Sequence, residues 1–116
     1  MPYLIVTFIG GGLGACTRFF VSTIALNFGL RYWIGTLLVN LIGCVIYFST
    51  VKFAHLTNMQ IHFVRIGFLG SLTTFSAFAV EIILQIEAQN YSEAFLIFFL
   101  NISLCLLAGI FIFRIS

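Results

Sequence analysis

Hydrogen-bonding side chains are concentrated in residues 67–78, inside an apolar segment that runs from about residue 61 to residue 86. Between Ser71 and Ser76 the segment carries the hydroxyls of Ser71, Thr73, Thr74 and Ser76. Hydroxyls donate hydrogen bonds without carrying charge, and they compete with the helical ladder for backbone partners. Glycine, serine and threonine also form helices less readily than leucine. The pattern predicts a membrane helix that breaks near its middle and exposes backbone groups where an ion can bind.

The composition of the chain indicates what must surround this segment. Of the 116 residues, 62% are apolar and only 7% are charged, whereas a soluble domain carries about 25% charged residues. A membrane-spanning helix needs about 20 mainly apolar residues, so four of them use the whole length. We therefore expect an all-α integral membrane protein with a single transmembrane domain, residues 1–116, and spans at about 3–28, 33–53, 61–86 and 94–113.

The net charge and the cysteines argue against several functions. A net charge of +2 is too small to indicate nucleic-acid binding. Cys16, Cys44 and Cys105 are far apart in apolar segments and lack metal-ligand spacing, so we expect three free, buried thiols. We do not expect an enzyme, because the chain has no aspartate and no histidine deep in a span that could act as a base.

Three further polar residues lie inside the other predicted spans. Arg18 is well inside the first span, where a guanidinium must face protein or water, so it has either a structural or vestibule role or an anion-attracting one. Asn40 is the polar residue nearest the middle of the second span, and its amide needs a partner on another helix or in a pore. Asn101 shares a helical stripe with Cys105 and Gly109, and this stripe should face protein.

Two phenylalanines follow the predicted break. Phe75 and Phe78 are three residues apart, so on a helix they lie near the same face. The edge of an aromatic ring is electropositive, and it can approach an anion without binding it tightly. Ordinary packing is the alternative interpretation, but the hydroxyls around these rings favour the first.

Lysine and arginine are almost balanced between the two sides of the predicted bundle. With four spans, Lys52, Arg65 and Arg114 lie on the side of both termini, and Arg31 lies on the other. These residues set membrane orientation, and a bias this weak permits insertion both ways and antiparallel pairing of two copies. Four spans of this size are also too few to enclose a pore alone, so we expect at least a dimer.

Three stretches together resemble the Fluc (CrcB) family of fluoride channels. They are residues 10–18 (GGGLGACTR), 35–43 (GTLLVNLIG) and 67–78 (GFLGSLTTFSAF). The third is the most specific, above all TTFS at residues 73–76, and the likeness extends to length, span count and motif order. The resemblance implies an antiparallel, dual-topology homodimer with two pores in the bacterial inner membrane, surrounded by membrane lipid. It would export fluoride passively and so relieve fluoride toxicity.

The resemblance also implies roles for individual residues. A structural sodium ion would lie at the dimer centre, held by backbone carbonyls that match Gly70 and Thr73. The pore phenylalanines of the family match Phe75 and Phe78, and its pore asparagine matches Asn40.

The fourth helix departs from the family pattern. Asn101 and Cys105 stand where many members have a tyrosine and a serine that face the pore. With Asn40, Thr74 and Ser76, Asn101 would supply the N–H and O–H groups that replace the water around fluoride. Neutral donors suit conduction because no site may hold the ion too strongly, and Arg18 would begin the attraction of anions.

Two other functions compete with this interpretation. A small multidrug-type exporter is also a four-span chain that pairs antiparallel, but such exporters resemble one another in a first-helix glutamate that couples protons. Here the first span has no carboxylate and carries Arg18. A non-transporting membrane assembly protein would leave the polar motif of the third span unexplained.

Overall fold

A computed structural model describes residues 1–115, and every regular element in that range is helical. Helix α1 spans Pro2–Asn27 and helix α2 spans Ile34–Phe53. Helix α3 covers residues 58–72, in which the π-helical stretch Ile61–Leu69 lies between the short α-helical pieces Asn58–Gln60 and Gly70–Leu72. Helix α4 spans Phe75–Glu87 and helix α5 spans Tyr91–Arg114.

Within residues 1–115, four segments are long and apolar enough to cross a membrane. They are Pro2–Asn27, Ile34–Phe53, Asn58–Glu87 and Tyr91–Arg114. Large apolar side chains cover their outer faces, as Phe8 and Phe19 do on α1. Such faces need lipid or another protein surface around them, so the prediction of an all-α, multi-pass membrane protein is confirmed.

The third segment contains two residues in extended conformation. Thr73 has φ −78° and ψ 148°, and Thr74 has φ −144° and ψ 123°. Thr74 caps the helix that follows, because its Oγ1 accepts a hydrogen bond from the Ala77 N–H at 3.2 Å. The cap explains why α4 begins at Phe75. The Thr73 N–H still donates to the Leu69 carbonyl at 3.1 Å, so the helical ladder of α3 ends at that bond and the Thr74 N–H lies outside it.

Glycines bring α1 and α3 into close backbone contact. A Cβ atom on Gly10 would overlap the carbonyl oxygen of Phe63, and one on Gly14 would overlap that of Phe68. Gly67 on α3 contributes to the same contact, because a Cβ atom added there would lie 2.7 Å from the Thr7 carbonyl oxygen. Small residues spaced by four permit this approach in membranes, and Gly10 and Gly14 have that spacing.

Helices α2 and α5 run parallel in a constant register. Asn40 Nδ2 donates to Asn101 Oδ1 at 3.0 Å, and Lys52 Nζ donates to the Phe113 carbonyl at 2.7 Å. Between these contacts the Phe48 ring packs on Gly109, where an added Cβ would lie 2.8 Å from the ring. Each pair is 61 residues apart in sequence, so the two helices keep one register for more than three turns.

Candidate functional site

A cavity of about 240 Å³ lies where α2 and α5 meet the two extended residues. Its wall consists of uncharged polar side chains and apolar ones, and it includes five residues predicted for the pore. The lining residues are Asn40, Cys44, Thr73, Thr74, Phe75, Phe78, Asn101, Ile102 and Cys105. Residues from three separate predicted spans therefore meet at one place.

Asn40 is the centre of the hydrogen bonds in this cavity. Its Oδ1 accepts the Thr74 N–H at 2.7 Å, and its Nδ2 donates to the Thr74 carbonyl at 3.2 Å. The same Nδ2 donates to Asn101 Oδ1, while Asn101 Nδ2 donates to the Ile97 carbonyl at 2.9 Å. Asn40 thus replaces the helical partners that the extended backbone lacks.

Two hydroxyls lie beside this network. Thr74 Oγ1 and Ser76 Oγ share a hydrogen bond of 3.3 Å, while Thr74 Oγ1 also accepts from Ala77. Ser76 is exposed on the surface of the single chain. Ser76 does not line the cavity itself, so the structure brings it next to the other predicted donors rather than among them.

Phe75 and Phe78 differ in their surroundings. Phe78 is 6% exposed and packs in a core cluster with Trp33 and Ile97. Phe75 is 77% exposed on the single chain. Their ring centroids are 5.5 Å apart and the ring planes are tilted by 50°. One ring is thus held by the bundle, and the other projects from it.

The carbonyls of Gly70 and Thr73 are diverted from ordinary helical bonding. In an α-helix they would accept from the N–H groups four residues later, on Thr74 and Ala77. Those N–H groups instead donate to Asn40 Oδ1 and to Thr74 Oγ1. Carbonyl oxygens of unwound backbone are ligands for sodium, so both groups have the chemistry that the predicted ion requires. Gly70 lies at the exposed surface and, with Thr73, lines a second cavity of about 260 Å³.

Arg18 does not line either cavity. Its Nε donates to the Ser71 carbonyl at 3.1 Å, and its side chain is half-buried between α1 and the end of α3. The guanidinium therefore supplies a hydrogen-bond donor to the Ser71 carbonyl near the end of α3. This contact favours the structural alternative predicted for Arg18.

The expectation of three buried thiols is wrong. Cys16 is exposed, and Cys44 and Cys105 are half-buried. Cys16 lies on an exposed face of α1, and the other two line the first cavity. Apolar sequence around a cysteine indicates the membrane, but it does not distinguish a lipid-facing position from one in the protein interior.

A second buried polar cluster escaped the sequence interpretation. Glu81 is 7% exposed, and its Oε1 accepts from Thr36 Oγ1 at 2.5 Å. Gln85 Nε2 donates to the Tyr32 hydroxyl at 3.1 Å, and that hydroxyl donates to the Glu81 carbonyl at 3.3 Å. Glu81 Oε2 and Gln85 Oε1 have no partner among residues 1–115. The signal was the spacing of four in both pairs, Tyr32 with Thr36 and Glu81 with Gln85.

The helices and the first cavity together define a multi-pass membrane protein with an uncharged polar site inside the membrane. A family model described as "CrcB-like protein, Camphor Resistance (CrcB)" matches residues 5–112. The chain therefore belongs to the CrcB family, and the resemblance predicted from its motifs is confirmed.

The sequences of similar proteins match most of the chain. One is the "Fluoride-specific ion channel FluC" of Aeromonas salmonicida strain A449, 38% identical over 102 residues, which are 84% of this chain and 82% of that protein. Another, with the same name, is from Shewanella baltica strain OS185. It is 34% identical over 110 residues, which are 91% of this chain and 89% of that protein.

Proposed function

We propose that this chain forms a fluoride-selective ion channel that exports fluoride passively across the bacterial inner membrane and relieves fluoride toxicity. Its relatives of 34% and 38% identity are named as fluoride-specific ion channels. The observation that carries the proposal is the first cavity, where Asn40, Thr74 and Asn101 meet the rings of Phe75 and Phe78. The chain acts by conduction, and we assign it no catalytic step.

The chemistry of this cavity suits a small, strongly hydrated anion. Fluoride must exchange water for other donors, and amide and hydroxyl groups supply them without charge. The electropositive edges of Phe75 and Phe78 can line the same route. A site of this kind attracts the ion but releases it, which conduction requires. A larger anion such as chloride gains less from close donors and fits a narrow file poorly.

The conducting unit is an antiparallel homodimer with dual topology. The exposed ring of Phe75 and the surface carbonyl of Gly70 support this proposal, since both belong to the site yet lie on the outside of one chain. The near balance of lysine and arginine between the two sides allows either orientation. A second copy in the opposite orientation would cover these groups and close the route.

A structural sodium ion lies at the centre of this dimer. Gly70 and Thr73 from each chain would supply four carbonyl oxygens, whose ordinary amide partners are engaged elsewhere. Buried carbonyls need such a partner, and the ion adds positive charge near the two anion routes. Normal conduction and a stable dimer in sodium-free protein would contradict this role.

The test is fluoride efflux from liposomes that contain the purified protein. A fluoride electrode measures release, and chloride efflux from matched vesicles measures selectivity. We expect fast fluoride release without chloride release, and loss of release in Phe75→Ile while the dimer persists on size-exclusion chromatography. Phe8→Ile is the matched control, because Phe8 is an exposed ring on α1 outside both cavities. A well-folded dimer that releases no fluoride would refute the proposal.

A further inference from the structure

The register of α2 against α5 places two thiols opposite each other. Cys44 is one turn beyond Asn40, and Cys105 is one turn beyond Asn101. The 61-residue offset holds on both sides of them, at the amide pair and where Phe48 packs on Gly109. Both side chains line the first cavity, where α2 and α5 face each other.

The surroundings of this thiol pair restrict the ligands it can bind. Within residues 1–115, no group of three or more histidine, cysteine, aspartate or glutamate side chains could hold a metal ion. Zinc takes four such ligands in structural sites, so it does not fit a pair. Thiolates prefer soft metals, and a soft ion that accepts two sulfurs in a line is satisfied by two cysteines on facing helices.

The net charge of the metal–thiolate complex further restricts which soft ions can bind. Two thiolates with a monovalent ion leave one negative charge, which is costly at membrane depth. Two thiolates with a divalent ion give a neutral complex. Asn40 and Asn101 are one turn away and bind each other. Among residues 1–115, no carboxylate or cationic side chain lines the cavity near the sulfurs.

We propose that Cys44 and Cys105 form a two-thiolate site for a soft divalent cation of the Hg(II) class, and that the bound ion blocks the cavity. On binding, each thiol releases its proton to water and each sulfur forms one bond to the metal, replacing a chloride or water ligand that departs to solvent, with no change of oxidation state. The bridge ties α2 to α5 and fills space between the sulfurs. The blocking part of this proposal rests on the proposed channel function, whereas the binding part does not.

Binding is tested on the reduced, detergent-purified protein by titration with Hg(II) chloride in the presence of a competing monothiol. Ultraviolet absorbance of the mercury–thiolate bond reports occupancy, and Cys16→Ser removes the exposed third thiol as the matched control. We expect one Hg(II) per chain in the wild type and in Cys16→Ser. Loss of an outer-sphere group already weakens metal sites about 10–100-fold, so Cys44→Ser and Cys105→Ser should each lose about 100-fold or more in affinity. Equal affinity in all four proteins would overturn the proposal.

Blocking is tested by fluoride efflux from liposomes, with each variant compared with its own rate before mercury is added. We expect Hg(II) to stop release in the wild type and in Cys16→Ser, and a dithiol such as dithiothreitol to restore it. Cys44→Ser and Cys105→Ser should keep their own rates when Hg(II) is added. If the protein binds Hg(II) as expected but shows no fluoride release before its addition, the channel function is refuted. The two-thiolate site is then still supported by the binding data. Flux that continues in wild type with the metal bound would overturn the block.

Discussion

The side chain of Asn40 bonds to both backbone groups of Thr74, accepting its N–H at 2.7 Å and donating to its carbonyl at 3.2 Å. An amide side chain on one helix therefore completes the backbone of another segment where that segment is extended. This explains how two non-helical residues persist inside an apolar bundle, where unpaired backbone groups are costly. It also ties the shape of the cavity to one side chain.

Replacing Asn40 by alanine should destabilise the protein and abolish fluoride release. The Thr74 N–H and Asn101 Oδ1 would each lose a buried partner, and an unsatisfied group costs about 1–3 kcal/mol. Thermal unfolding in detergent gives the change in stability, and liposome efflux gives the change in flux. Asn58→Ala, at an exposed position outside the cavities, is the control. An Asn40→Ala protein as stable as Asn58→Ala would contradict the role given to this amide.

Substitutions at Thr74 should separate the effect of its hydroxyl on stability from the effect of its size. Thr74→Ser keeps the oxygen that accepts the Ala77 N–H, whereas Thr74→Val keeps the shape and removes it. Loss of an N-cap side chain costs about 0.5–2 kcal/mol, so valine should lower the unfolding temperature and serine should preserve it. Hydrogen exchange at Ala77 gives the local measurement. Slow exchange in both variants would show that the cap is not needed.

Two glycines of α1 should differ sharply in their tolerance of alanine. A Cβ on Gly14 would overlap the Phe68 carbonyl, whereas one on Gly12 meets no atom within 4 Å. Overpacking costs about 1–3 kcal/mol, and here the obstacle is backbone, which yields little. We expect Gly14→Ala to lose folded protein on size-exclusion chromatography and Gly12→Ala to retain it. The reverse order would refute the close packing of α1 on α3.

Glu81 should matter for stability through its acceptor oxygen. Glu81→Gln keeps an oxygen for the Thr36 hydroxyl, whereas Glu81→Ala leaves that buried hydroxyl without its partner, at a cost of about 1–3 kcal/mol. We expect the alanine variant to unfold at lower temperature than the glutamine variant. Glu87→Gln and Glu87→Ala, at an exposed position on the same helix, form the matched pair. A similar difference in both pairs would remove the special role of Glu81.

The number and type of helices were predictable because long apolar runs have few other structures available in a membrane. The identity of the site was partly predictable as well. Asn40 was predicted to need a partner on another helix or in a pore, and it bonds to the Thr74 backbone and the Asn101 side chain. The family was predicted from three short motifs, since each places small or polar residues where lipid does not favour them, and the match to residues 5–112 confirmed it.

The relation between helices was not predictable from local pattern. The 61-residue offset between α2 and α5 depends on how Phe48 packs on Gly109, and no short-range signal specifies that pair. The prediction that the cysteines are buried was wrong for the same reason, since every face of an apolar helix resembles every other. The Glu81 cluster joins α4 to Tyr32 and to Thr36 of α2, and neither segment indicates its partner in its own sequence.

The π-helical stretch Ile61–Leu69 has a consequence for how this chain can vary. A π-helix bonds each N–H five residues back, so it holds more residues per turn than an α-helix. Its length therefore sets the angle at which Gly70 and Thr73 emerge, relative to Gly67, where α3 packs on α1. Deleting one residue would let the stretch relax to ordinary turns and rotate both carbonyls about the helix axis. Substitutions here should be tolerated in evolution far more readily than insertions or deletions.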